Sequence, residues 1–266
     1  GIMTSTSSSG YSDFADLSKR ASQEEIPFIR VDDANDSTSV SWLKTIEPDY
    51  VFCFGWSQLL RADFLSIPRR GTIGYHPAAL PENRGRHPII WAIVLGLKET
   101  ASTFFMINEG VDSGPLISQE KVPISQGEDA ASLYQKLVRV AERQLEQLVP
   151  LLEERSFDLV EQNVCGSSSW RERSGRDGEI DWRMAAPTIG QTVRGLGKPY
   201  VGAHFRYRGR LIRLWRCSVE PEAPRNAEPG KILDIKNDRI LVKAGIGAVW
   251  LEHIEPQIFP ERGTYL

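Results

Sequence analysis

The chain has 266 residues, a net charge of −3 at pH 7, 41% hydrophobic and 25% charged residues, the make-up of one or two ordinary globular domains. The slight acidity excludes generic polyanion binding by the whole chain, and no apolar run reaches the ~18 residues of a bilayer-spanning helix. Cys53, Cys165 and Cys217 are far apart and odd in number, so neither a metal site nor a disulfide framework is expected, and free thiols in a reducing cytoplasm are.

Gly1 to Thr4 reads as the tail of a strand, followed by a serine- and glycine-rich loop to about Ser12. Phe14, Leu17 and Ala21 share one helical face and predict a helix over 13–23. A short strand over 28–31, a helix over 39–46, a buried strand over 50–54 ended by Gly55 and a strand over 71–75 follow. This alternation is that of βαβ units and predicts a parallel sheet covered by helices. Residues 87–97 read as a buried helix with Pro88 in its first turn. Strands are expected over 101–107 and 116–122, then a long helix over 129–154 whose Leu133, Leu137, Val140, Leu145 and Leu148 recur near helical spacing and face the core.

The polar, turn-rich stretch over 166–177 reads as a linker that separates a first domain over 1–165 from a second over 178–266. The second carries a helix over 186–196 and short strands over 203–207, 211–217, 231–235, 240–242 and 248–254. Short strands joined by Gly and Asn-Asp turns suggest a small β-barrel.

Candidate chemistry concentrates between Gly71 and Gly114. His76 ends a predicted strand, where open α/β sheets carry their sites, and Asp112 sits in the glycine loop Glu109-Gly110-Val111-Asp112-Ser113-Gly114. A histidine there can exchange a proton near neutral pH or donate to an oxyanion, and a carboxylate can accept that proton or orient the ring. Taken singly, each has an ordinary structural role as well: a core histidine on a backbone carbonyl, and a turn aspartate that caps its own loop.

The run Gly74-Tyr75-His76-Pro77-Ala78-Ala79-Leu80-Pro81-Glu82-Asn83-Arg84-Gly85, with Asp112 beyond it, resembles the motif of the formyltransferases that use 10-formyltetrahydrofolate. Ile180-Asp181-Trp182, Val193-Arg194, Pro199 to Ala203 and Ile212 to Trp215 are similar to the C-terminal domain of the methionyl-tRNA and sugar-nucleotide branches. The resemblance covers nearly the whole chain. It implies an α/β fold: a Rossmann-like parallel-sheet formyltransferase domain joined to a small OB-like β-barrel domain. The family's sheet opens with a strand, a helix and a second strand; this chain begins at that second strand, so the first βα unit is expected to be missing.

The resemblance implies acyl transfer from 10-formyltetrahydrofolate, without a metal. His76 and Asp112 fall on catalytic positions of the family. The third, an asparagine whose amide helps hold the formyl oxygen, is replaced by Gly74. Losing one such donor typically costs about 100- to 1000-fold in rate, and Asn83 is the expected substitute. The resemblance further puts Ile89, Ile90, Trp91, Asn108, Gly110 and Val111 on the cofactor, and Arg84 and Tyr75 on the substrate.

Residues 4–14 carry no basic side chain, whereas tRNA-gripping relatives place cations in the corresponding loop. Without cations such a loop forfeits the phosphate attraction that dominates RNA binding. An amino sugar nucleotide is therefore expected as acceptor ahead of tRNA, although eleven Arg and Lys residues between Arg171 and Arg216 keep methionyl-tRNA as an alternative. A hydrolase of formyltetrahydrofolate would share the cofactor site but use water, and an impaired homologue would bind folate or nucleotide without turnover; both readings stay open. No membrane partner is expected, and a homodimer is left open.

Overall fold

The computed structural model describes residues 1–5 and 14–266. Most of the expected serine-rich loop, and Asp13 at the start of the first expected helix, lie outside the described residues. In chain order the first elements are β1 (Ile2–Ser5), α1 (Ser18–Gln23), β2 (Phe28–Val31), α2 (Ser37–Ile46), β3 (Tyr50–Cys53), α3 (Ala62–Leu65), β4 (Gly71–His76) and β5 (Arg84–Gly85). After them come α4 (Pro88–Val94), β6 (Glu99–Met106), β7 (Leu116–Pro123), α5 (Ala130–Glu154), β8 (Ser169–Trp170) and α6 (Ala186–Gly195). The chain closes with β9 (Ala203–Tyr207), β10 (Arg210–Glu220), β11 (Ile232–Lys236), β12 (Arg239–Lys243) and β13 (Ala248–Glu255).

The helix boundaries have local causes. Asp36 accepts a hydrogen bond from Ser39 N at 2.6 Å and starts α2, and Glu47 ends it in the left-handed region at φ 47°. Pro88 occupies the first turn of α4, where its missing N–H costs nothing. Asp129 accepts from Ser132 N at 2.8 Å and caps α5. Leu133, Leu137, Leu148 and Leu152 form the buried stripe of that helix, while Val140 and Leu145 are only half-buried. Gln144 takes a place in the stripe, its amide donating to Ser118 Oγ at 2.8 Å.

The chain packs as two compact units, each built from non-contiguous pieces. The first comprises Gly1–Gly85, Ala101–Lys121 and Arg139–Trp170. Its main sheet has the order β3-β4-β6-β7, and β1 and β2 form a parallel pair of their own. β3 and β4 run parallel, as expected, with Tyr50 opposite Gly71. β6 runs antiparallel to β4, pairing Gly74 with Phe105 and His76 with Thr103. The sheet is therefore mixed: the connection from His76 to Glu99 returns to the end of the sheet it left, so β6 runs back along β4. Every residue from Thr100 to Phe105 is buried, which makes β6 the centre of this unit. Ile73, Phe104, Leu148 and Leu152 form one core cluster; Ala34, Leu43, Leu60 and Phe64, with Met3 and Val51 against them, form another.

The second unit comprises Arg86–Thr100, Val122–Val138 and Arg171–Leu266. Its sheet is antiparallel with the order β11-β12-β13-β10-β9. The hairpins turn where sequence chemistry allows positive φ. Arg208-Gly209 stands at 49° and 78°, and Asn237-Asp238 at 46° and 63°, the backbone of a tight two-residue turn. Alternate strand residues Phe205, Ile212, Leu214, Ile232 and Leu251 are each less than 2% exposed and pack under Ile189 and Val193 of α6. Burying such a side chain stabilises the fold by roughly 1.5–3 kcal/mol. α4 packs on α6 closely enough that a Cβ at Gly195 would stand 2.7 Å from Val94.

The stretch over 166–177, expected to link the domains, carries secondary structure of its own. It holds β8, which pairs in parallel with β5, and a short 3-10 turn over Gly175–Gly178 closed by a capping box between Ser174 and Asp177.

Candidate active site

His76 is the last residue of β4 and is only 5% exposed. Its Nε2 lies 2.8 Å from the main-chain oxygen of Asn83. A carbonyl can only accept, so Nε2 carries the hydrogen and donates it. Nδ1 then holds the lone pair of the neutral ring, 3.6 Å from Oδ2 of Asp112. The ring is fixed in one tautomer with its basic nitrogen turned to a carboxylate, and a protonated ring would aim an N–H at that carboxylate.

Asp112 is held at φ 45°, in the left-handed region. Its Oδ2 accepts from Gly85 N at 2.8 Å. The rest of its loop is closed by Asn108, whose Oδ1 accepts from Gly110 N at 3.0 Å and Ser113 Oγ at 2.8 Å. Two glycines here are required by space. A Cβ at Gly114 would lie 1.8 Å from the Met106 oxygen, and one at Gly85, where φ is 97°, would lie 2.3 Å from the Trp170 oxygen.

Arg84 directs Nε and Nη2 to Oε1 of Gln162, at 3.2 and 2.6 Å. Gln162 in turn donates Nε2 to the main-chain oxygens of Asp112 and Gly114, at 2.9 and 2.7 Å. Ser168 Oγ accepts from Asn83 N at 2.9 Å. Asn83, at φ 63°, therefore meets His76 through its main chain, while its side-chain oxygen lies 3.5 Å from the Ser168 hydroxyl.

At Gly74 a Cβ would stand 2.8 Å from the Phe105 ring and 2.9 Å from Ile107. Phe105, its cross-strand partner, fills the space a side chain would need. Tyr75 lies on the opposite face of β4 from His76, as strand alternation dictates. There it packs on Phe54 and Phe104 and receives the Ser102 hydroxyl at 3.2 Å.

The structure thus brings His76, Asp112, Asn83 and Arg84 together, with Asn108 and Gly110 in the Asp112 loop and Val111 exposed on it. Ile89 and Ile90 are buried in α4, Ile90 as part of the second unit's core. Trp91 is flanked by the guanidinium groups of Arg171 and Arg173, at 5.2 and 5.0 Å from its ring, and donates Nε1–H to the Arg171 oxygen at 3.1 Å. His87, just before α4, is pushed below its ordinary pKa by burial and by the neighbouring Arg86. Gln162 and Ser168 escape a reading of the sequence. They lie 78 and 85 positions from their partners, in a polar stretch indistinguishable from solvated loop.

A cleft of about 590 Å³ in the first unit is lined by Asp33, Asn35, Gln58, Leu59, Arg61 and Glu109, among others. Among the described residues, no helix is long and apolar enough to cross a membrane.

Comparison with known proteins accounts for both parts of the chain. In fold it is similar to HypX from Aquifex aeolicus in complex with tetrahydrofolic acid (20% identity, TM-score 0.67, 95% of this chain and 43% of that one). The chain thus spans less than half the length of that protein. It is also similar to an N-formyltransferase from Helicobacter canadensis in complex with folinic acid and dTDP-3-aminofucose (16%, TM-score 0.67, 92% and 86%). A third likeness is methionyl-tRNA formyltransferase from Clostridium thermocellum (18%, TM-score 0.59, 92% and 97%). Residues 11–149 match the family model "Formyl transferase" and residues 174–258 the model "Formyl transferase, C-terminal domain". With both family segments matched, the chain belongs to the formyl transferase family.

Proposed function

We propose that this chain moves a formyl group from 10-formyltetrahydrofolate to the amine of an amino sugar nucleotide. The observation that carries the reading is His76, held by the Asn83 carbonyl with Nδ1 turned to Asp112. Residues 1–165 carry the chemistry in this reading, and three free cysteines fit a cytoplasmic site of action.

The residues present fit the donor. The cleft has the size of a small-ligand pocket. It is lined by Arg61, whose cation suits a carboxylate tail, and by Asn35 and Gln58, whose amides brace the wall through bonds to the main chain of Asp32, Ala34, Leu59 and Arg61. These residues, with the 108–112 loop, would hold it; 10-formyltetrahydrofolate supplies the activated formyl group when bound. Nδ1 of His76 takes the proton that the attacking amine gives up. Once charged, the ring directs its Nδ1–H to Asp112, which stabilises the imidazolium, and the proton would pass on to the nitrogen of the departing tetrahydrofolate as its bond to the formyl carbon breaks. Asn83 contributes through its main-chain oxygen, which keeps the ring in the productive tautomer.

The acceptor is inferred from the absence of any basic residue over 4–14, which removes the cations a tRNA-gripping loop uses. The amino sugar bound by the Helicobacter protein supports the same choice. The test is transfer of labelled formyl from 10-formyltetrahydrofolate to a panel of amino sugar nucleotides, with methionyl-tRNA in parallel. Formylated sugar nucleotide is expected, and His76→Ala abolishes it while the protein stays folded. Formylation of methionyl-tRNA alone overturns the acceptor. Formate released without any acceptor identifies a hydrolase.

A further inference from the structure

The segment between the two family-matched regions runs across the loops of the candidate active site. Val160 pairs with Leu116 through both main-chain bonds, N to O at 2.9 Å and O to N at 2.8 Å. Ser168 holds Asn83 N at 2.9 Å, and Trp170 lies beside Gly85 in the β5–β8 pair. Between these contacts stands Gln162, 9% exposed.

All the hydrogen-bonding capacity of the Gln162 amide is engaged. Its two hydrogens go to the oxygens of Asp112 and Gly114, and its oxygen receives two nitrogens of Arg84. A guanidinium only donates and a carbonyl only accepts, so the amide cannot be turned over without setting donor against donor and acceptor against acceptor. Asp112 is therefore gripped twice. Gln162 holds its main chain at a positive φ that a residue other than glycine keeps only when its surroundings impose it. The N–H of Gly85, next to Gln162's partner Arg84, holds its carboxylate.

We propose that Gln162 is a positioning residue that sets Asp112 against His76, so that the stretch over 160–170 completes the active site. The proposal rests on the formyl-transfer reading for its turnover measurement only. In Gln162→Met both donors and the acceptor are lost; Gln162→Glu keeps the partner of Arg84 and loses both donors.

Both variants are expected to lower kcat by about 10- to 100-fold, the scale on which misplaced groups cost rate, with KM for donor and acceptor changed by less than about twofold. The Gly85 amide proton, assigned by NMR in the whole chain, is expected to move upfield as its bond to Asp112 lengthens. A folded variant with unchanged kcat and an unchanged Gly85 resonance overturns the proposal, even if its melting temperature falls. Should Gln162→Met not fold, Gln162→Glu and Arg84→Met are judged by the same two readouts. If the wild-type chain transfers no formyl group, the Gly85 resonance alone decides on Gln162, and the missing turnover counts against the proposed function instead.

Discussion

The candidate active site and the C-terminal sheet are held in shape by different forces. In the sheet, hairpin neighbours pack alternate apolar residues on α6, and Phe205, Ile212 and Leu214 are almost wholly sealed from solvent. Around His76 the geometry comes from hydrogen bonds between residues far apart in the chain, with Asn83, Gly85 and Asp112 all at positive φ. Apolar packing is non-directional and scales with buried area, so it gives stability and tolerates small shifts. A network of directed bonds gives little net stability per bond and fails in geometry when one partner is lost. Substitutions in the sheet should therefore be read in unfolding free energy, and those in the loops chiefly in turnover.

The largest stability effect is expected at Phe205. Its ring packs edge-on to Trp182 at 5.3 Å and is 1% exposed. Phe205→Ala should cost roughly 3–5 kcal/mol in urea unfolding; a cost under about 1 kcal/mol would remove the contrast between sheet and loops. Gly85→Ala comes next. Its Cβ meets the Trp170 oxygen and its φ suits glycine, so about 1–3 kcal/mol of stability should go. Formyl transfer should fall further than that loss predicts, because the N–H that holds Asp112 moves with the backbone.

Gly74→Asn introduces the side chain that the resemblance leads one to expect, at a position whose space Phe105 fills. The single variant should be destabilised by about 1–3 kcal/mol through overpacking. Combined with Phe105→Ala, it should show a favourable coupling energy in a double-mutant cycle. Simple additivity of the two costs would mean that Phe105 does not compensate for the glycine.

The smallest effect is a pH dependence. Burial and Arg86 lower the pKa of His87, so its neutral form is favoured in the folded chain. The unfolded chain then binds the proton more tightly. This contribution to stability is fully present above the unfolded histidine value of about 6.5 and is lost as pH falls through the lower folded value. His87→Asn, which tolerates the left-handed backbone at φ 55°, should flatten the melting temperature between pH 8 and pH 5; an unchanged slope would assign it to other groups.

Much of the architecture was legible because it is written in local periodicity. The strands Phe28–Val31 and Ala203–Tyr207 have the bounds their alternation predicts, and the Asn237-Asp238 turn sits where its composition puts it. The short helix α3 went unforeseen, since four residues carry no period. His76 and Asp112 stand out as candidates from their motif, and the family that the motif resembles is the one whose models match the chain.

Three matters were settled only by the folded chain: the reversed direction of β6, the ring of Phe105 over Gly74, and the return of the 160–170 stretch onto the Asp112 loop. Each depends on which segments meet across long loops. Sequence spacing encodes the face a side chain takes along its own element, whereas the partner it finds there depends on the closure of the whole chain. That is why His76 could be read from its neighbours, and Gln162 only from its contacts.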